Sequence, residues 1–122
     1  MIYERDFADS PAAVSEARRY TLDALRGVSK PVIEATLVMV SELASNCIRH
    51  ASERFNLVIA RTDDEIRVEV SDAGPGRPSV RRPPDAEPSG RGLQIVSALA
   101  DRWGVRVKPG SAGKTVWFVV GV

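Results

Sequence analysis

Two short runs, FNLVIART and EIRVEVSD, flank a turn at Thr62 to Glu65. Runs of this length, rich in β-branched and aromatic residues and joined this tightly, read as an antiparallel hairpin. A hairpin alone is not stable in water, so more strands or a covering layer must come from elsewhere in the chain. IYERDFA reads as a first strand, and GVRVKP and KTVWFVV, turned by GSAG, as two closing strands. Three stretches read as helices. In DSPAAVSEARRYTLDALRG, Ser10 can cap, Pro11 suits the first helical position and Gly27 can end the helix. There Val14, Ala17, Thr21, Leu22 and Leu25 recur at helical spacing and should face the core. PVIEATLVMVSELASNCIRHA is a longer second helix beginning near Pro31, and LQIVSALADRW is a third. Two runs of helix and strand feeding one sheet give an α/β (α+β) two-layer sandwich. Its sheet should be mixed and largely antiparallel, with the helices on one face.

At 122 residues the chain suits one domain, residues 1–122, with a single hydrophobic core. A hydrophobic share of 43%, a charged share of 27% and a net charge of +1 are those of a globular protein without a basic surface for nucleic acid. Cys47 is the sole cysteine, which excludes an intrachain disulfide and a cysteine-based zinc cluster. No apolar run approaches the roughly 20 residues that span a bilayer, and MIYERDF lacks an apolar signal core. A cytoplasmic protein with no membrane partner is the expectation.

The second helix turns polar at SELASNCIRH. Glu42 and Asn46 are four apart and share a face, with His50 close to it. The wet side of an amphipathic helix explains such a stripe. So does a cleft, in which the Asn46 carbonyl oxygen suits Mg²⁺ and Glu42 can deprotonate a nucleophile. Cys47 points away by about 100° and reads as a small buried hydrophobe.

Between the hairpin and the third helix runs GPGRPSVRRPPDAEPSGRG, in which prolines forbid regular structure. Loops this long in compact domains are usually functional or disordered. In VSDAGPGRP a strand runs into Asp72 and then Gly74 and Gly76. An acid repels phosphate, so phosphates belong further on, where Gly90, Arg91 and Gly92 precede an apolar helical run. A helix N-terminus offers unpaired N–H groups, and glycine lets an anion approach. Asp72 is then free to accept a hydrogen bond from a purine amine, which selects adenine over guanine. The bland alternatives are a strand-ending turn at Asp72 and plain loop glycines at 90 and 92.

ELASN on a helix, DAGPG after a strand, GRGLQIV opening a helix and GKTVWF entering a last strand come in a definite order. That order resembles the four ATP-binding boxes of the Bergerat-fold (GHKL) ATPases, over roughly Ser41 to Phe118. The superfamily includes gyrase-type topoisomerases, sensor histidine kinases and mismatch-repair ATPases. The short form, with VSELASNCIRHA and SDAGPGRP, looks most like the bacterial anti-sigma-factor serine kinases and their stand-alone relatives. The resemblance implies Mg-ATP as cofactor. It implies that Asn46 coordinates Mg²⁺ and that Glu42 is the general base. Asp72 would receive the adenine amine, with Gly74 and Gly76 shaping the pocket. Gly90, Arg91, Gly92 and Leu93 would border the phosphates beneath a lid over about residues 77–91. Thr115, after Gly113 and Lys114, would fix the adenine side through a water or Asp72. His50 is given no chemistry.

The implied activity is phosphorylation of a serine on an anti-sigma antagonist by a protein that also sequesters a sigma factor, pairing as a homodimer in some relatives. Two other functions compete. One is a non-catalytic module in which adenine nucleotide only switches partner affinity. The other is a detached catalytic domain of a sensor histidine kinase, for which the chain shows no phospho-accepting helix pair.

Overall fold

The computed structural model describes residues 1–48, 54–72, 89–107 and 113–122. In chain order these form β1 (Ile2–Phe7), α1 (Ala12–Ala24), α2 (Lys30–Asn46), β2 (Phe55–Arg61), β3 (Glu65–Asp72), α3 (Ser89–Leu99), β4 (Arg102–Val107) and β5 (Lys114–Gly121). The sheet runs β1-β2-β3-β5-β4, and each of its four pairings is antiparallel.

Alternation decides which face is covered. Phe55, Leu57 and Ile59 of β2, Ile66, Val68 and Val70 of β3, and Val116, Phe118 and Val120 of β5 are buried at every second position. They meet Ala13, Ala17 and Leu25 from the first helical segment, Met39, Val40, Leu43 and Ala44 from α2, and Val96 from α3. The opposite face carries Arg67, Glu69 and Trp117, with the Arg67 guanidinium 4.4 Å from the Trp117 ring centroid. Thr62 makes the β2–β3 turn as read from the sequence: its hydroxyl accepts the N–H groups of Asp64 and Glu65 at 3.2 Å each.

Four expectations need correction. Leu22 is 49% exposed. The buried stripe of α1 runs through Ala13, Ala17, Thr21 and Ala24, and Leu22 lies about 140° from its middle. Small residues let α1 lie close to the sheet, where Arg61 of β2 donates to the carbonyls of Ala24 and Arg26 at 2.9 and 3.0 Å. Ser10 does not cap with its side chain; its carbonyl accepts the Ala13 N–H at 3.0 Å. The third helix starts four residues earlier than read, at Ser89, so Gly90, Arg91 and Gly92 lie in its first turn. It also ends earlier, at Leu99, because Asp101 leaves the helix to bond Val119 and accepts the Gly121 N–H at 2.6 Å. Arg102 and Trp103 therefore open β4, opposite Val119 and Phe118. Gly27 ends the first helical segment as expected, with φ at +88°, a conformation that favours glycine.

Candidate functional site

The polar stripe of α2 lies under the first turn of α3. A Cβ placed on Gly92 would stand 2.5 Å from Asn46 Nδ2, 3.7 Å from Asn46 Cγ and 3.9 Å from Glu42 Cβ. Gly92 is buried, and so is Asn46, at 9% exposure. Only glycine at this position lets the two helices meet with the Asn46 amide between them. Glu42, Asn46 and the helix N-terminus are thus neighbours, as the cleft reading requires and the wet-face reading does not.

Asp72 ends β3 on the helix-covered face, continuing the alternation of Ile66, Val68 and Val70. Its Oδ1 accepts the Lys114 backbone N–H at 3.4 Å. Cys47, one residue past Asn46, sits close enough to feel Asp72. The Cys47 thiol is pushed up to about 12, first by burial, then by the Asp72 charge, with Lys114 acting in the opposite sense. It is a neutral, buried wall residue, as its sequence position indicated. The α2 stripe, the α3 N-terminus and the ends of β3 and β5 therefore converge at one end of the sheet.

Thr115 belongs to this end. Its hydroxyl shares a 2.7 Å hydrogen bond with Ser71, its cross-strand neighbour, and the adjoining Lys114 N–H serves Asp72. Ser71 and Lys114 are two residues that motif reading passed over. Their roles depend on the β3–β5 register, and SDAGPG and GKTV carry no sign of it. Leu93 is half-buried against the core. Gly90 and Arg91 contribute backbone to the first turn of α3. Gly74, Gly76, His50 and most of the lid lie outside the described residues.

The donor set fits Mg-ATP better than a protein-enclosed metal. Among the described residues no group of three His, Cys, Asp or Glu side chains could hold a metal ion. One amide side chain, Asn46, beside a helix N-terminus is the sparse provision made by proteins that share Mg²⁺ with phosphates and water. The absence of a side chain at Gly92 lets the first turn of α3 approach the Asn46 amide.

Comparison with known proteins supports an ATPase domain. A family model described as histidine kinase-like ATPase domain matches residues 7–120. The chain belongs to that family. It is 33% identical over 108 residues to the signal transduction histidine-protein kinase AfsQ2 of Streptomyces coelicolor, covering 74% of this chain and 20% of AfsQ2. In structure it is similar to the RsbU and RsbW domains of a Mycobacterium tuberculosis protein, with a TM-score of 0.77 at 16% identity. That likeness covers 98% of this chain and 32% of the other. The chain thus spans about a fifth of the curated relative and about a third of the solved structure. Among the described residues, the antiparallel five-stranded sheet under three helices is the Bergerat fold expected from the four boxes. No described helix is long and apolar enough to cross a membrane.

Proposed function

We propose that this ATPase-family domain binds Mg-ATP between α2, α3 and the end of β3, phosphorylates a serine on an anti-sigma antagonist, and sequesters a sigma factor. The observation that carries the nucleotide reading is the seat of Gly92 on Asn46 Nδ2 and Glu42 Cβ, which sets a helix N-terminus beside the Asn46 amide and the Glu42 side chain. The choice of serine kinase follows the resemblance of VSELASNCIRHA and SDAGPGRP to the anti-sigma-factor serine kinases.

When bound, Mg-ATP supplies the activated phosphoryl group and the metal charge that stabilises its transfer. The rest is work for this chain. Asn46 presents its amide oxygen to Mg²⁺. The N–H groups of the first turn of α3 hold phosphate oxygens, and the helix dipole favours their charge. Asp72 accepts from the adenine amine, while the neutral Cys47 thiol adds no competing charge to that wall. Glu42 takes the proton from the incoming serine hydroxyl, and Gly92 sets the distance between Glu42 and the phosphate-binding turn. The transfer needs positioning more than covalent help, which suits a site this sparse.

A second reading rests on the relative that is 33% identical and named a histidine-protein kinase. On that reading the acceptor is a histidine on another segment or protein. Incubation with γ-labelled ATP and candidate acceptors separates the two. Acid-stable label on an antagonist serine supports the proposal, and acid-labile label on a histidine supports the second reading. ATP binding without label on any acceptor supports the non-catalytic module.

A further inference from the structure

Lys114 stands beside Asp72 with no role in the four boxes. On β5, Val116, Phe118 and Val120 point at the helices, and the two-residue period carries Lys114 to the same face. On β3 the same period brings Asp72 to that face. Ser71 pairs with Thr115 in antiparallel register, so the next positions outward, Asp72 and Lys114, are directly cross-strand. Side chains so placed are within reach of one another. The backbone bond from Lys114 N–H to Asp72 Oδ1 joins them already. Lys114 is half-buried, and its charge reaches Cys47 at the C-terminal end of α2, opposing the effect of Asp72 there.

A base seated on Asp72 strips water from its carboxylate. A carboxylate stripped of water is costly unless a cation compensates it. We infer that Lys114 is the counter-charge of Asp72 in the closed nucleotide site, a positioning residue that holds this carboxylate ionised and in place as the base covers it. This inference rests on the nucleotide reading proposed above. Lys114 acts through Asp72, so its contribution to affinity disappears when Asp72 loses its charge.

The test is calorimetric titration of the purified chain with Mg-ATP, using wild type, Lys114→Met, Lys114→Arg, Asp72→Asn and the Lys114→Met/Asp72→Asn double variant. Methionine keeps the side-chain length and the backbone N–H. Thermal unfolding without nucleotide checks that each variant is folded. Lys114→Met is expected to weaken ATP binding about tenfold. Lys114→Arg recovers most of that loss, because it restores the cation. In the Asp72→Asn background the methionine substitution changes affinity by less than about twofold. A wild-type affinity in folded Lys114→Met overturns the inference, and so does the same tenfold loss in both backgrounds. If the wild-type chain binds no ATP at all, the nucleotide reading fails first and takes this inference with it.

Discussion

Gly92→Ala isolates the contact on which the site depends. The added methyl would lie 2.5 Å from Asn46 Nδ2, where ordinary contacts begin near 3.4 Å. Something must move by roughly 1 Å, a shift that closely packed interiors resist. Two movements are available, and each harms the site. The Asn46 amide can turn away, which takes it from the place proposed for Mg²⁺. Otherwise the first turn of α3 backs off, which moves the N–H groups proposed to hold phosphate. Stability should change little. Alanine gains about 1 kcal/mol over glycine inside a helix, and overpacking of this kind costs about 1–3 kcal/mol. The net loss is then about 0–2 kcal/mol. Catalysis is more sensitive, since a 1 Å misplacement can cost about 100-fold in rate. The assay is paired: denaturant unfolding for stability, and calorimetry with labelled-phosphate transfer for function. A folded Gly92→Ala protein that binds Mg-ATP and transfers phosphate as wild type does would refute the seat of α3 on Asn46 as a site contact.

Three further outcomes follow from the same geometry. Glu42→Gln should keep Mg-ATP affinity within about threefold by calorimetry while transfer to an acceptor falls by at least about 100-fold, the loss of a general base. Gly104→Ala should lower stability by about 1–3 kcal/mol in denaturant unfolding and leave ATP affinity unchanged, because its Cβ would come within 2.8–2.9 Å of the Trp117 ring on the opposite sheet face. Cys47 gives a pH signature. Its thiol is held neutral in the fold, pushed up from 9.0 to about 12. The unfolded thiol ionises as pH rises past 9 and the folded one resists until about 12, so this contribution to stability is intact below pH 9 and is lost between 9 and 12. Denaturant midpoints should therefore fall more steeply across that range in wild type than in Cys47→Ala, and equal slopes would contradict the buried neutral thiol.

Much of the fold was legible because hydrophobic period separates helix from strand. The β-branched and aromatic runs FNLVIART and EIRVEVSD mark the hairpin, and both strands are observed there. The end of the third helix was not legible. LQIVSALADRW continues without glycine or proline through Trp103, and only pairing of Arg102 and Trp103 with β5 decides that strand wins. Leu22 was misplaced for a related reason. Spacing alone admits a wide apolar stripe, and the contact of small alanines with the sheet narrows it. At the candidate site, the shared face of Glu42 and Asn46 was legible from their four-residue spacing, and the place of Asp72 at a strand end from the run before it. What sequence could not supply was register. The Ser71–Thr115 bond and the Asp72–Lys114 juxtaposition exist because β5 pairs with β3, a neighbour 42 or more residues away in the chain.

The central claim is that Asp72 heads an adenine-nucleotide site. Calorimetry of the wild-type chain and Asp72→Asn with Mg-ATP and Mg-GTP tests it most directly. The account predicts that wild type prefers ATP to GTP and that Asp72→Asn loses that preference, with ATP affinity falling about tenfold or more, as for a hydrogen bond to a charged group. Equal binding of ATP by both proteins, or no preference over GTP in the wild type, would contradict it.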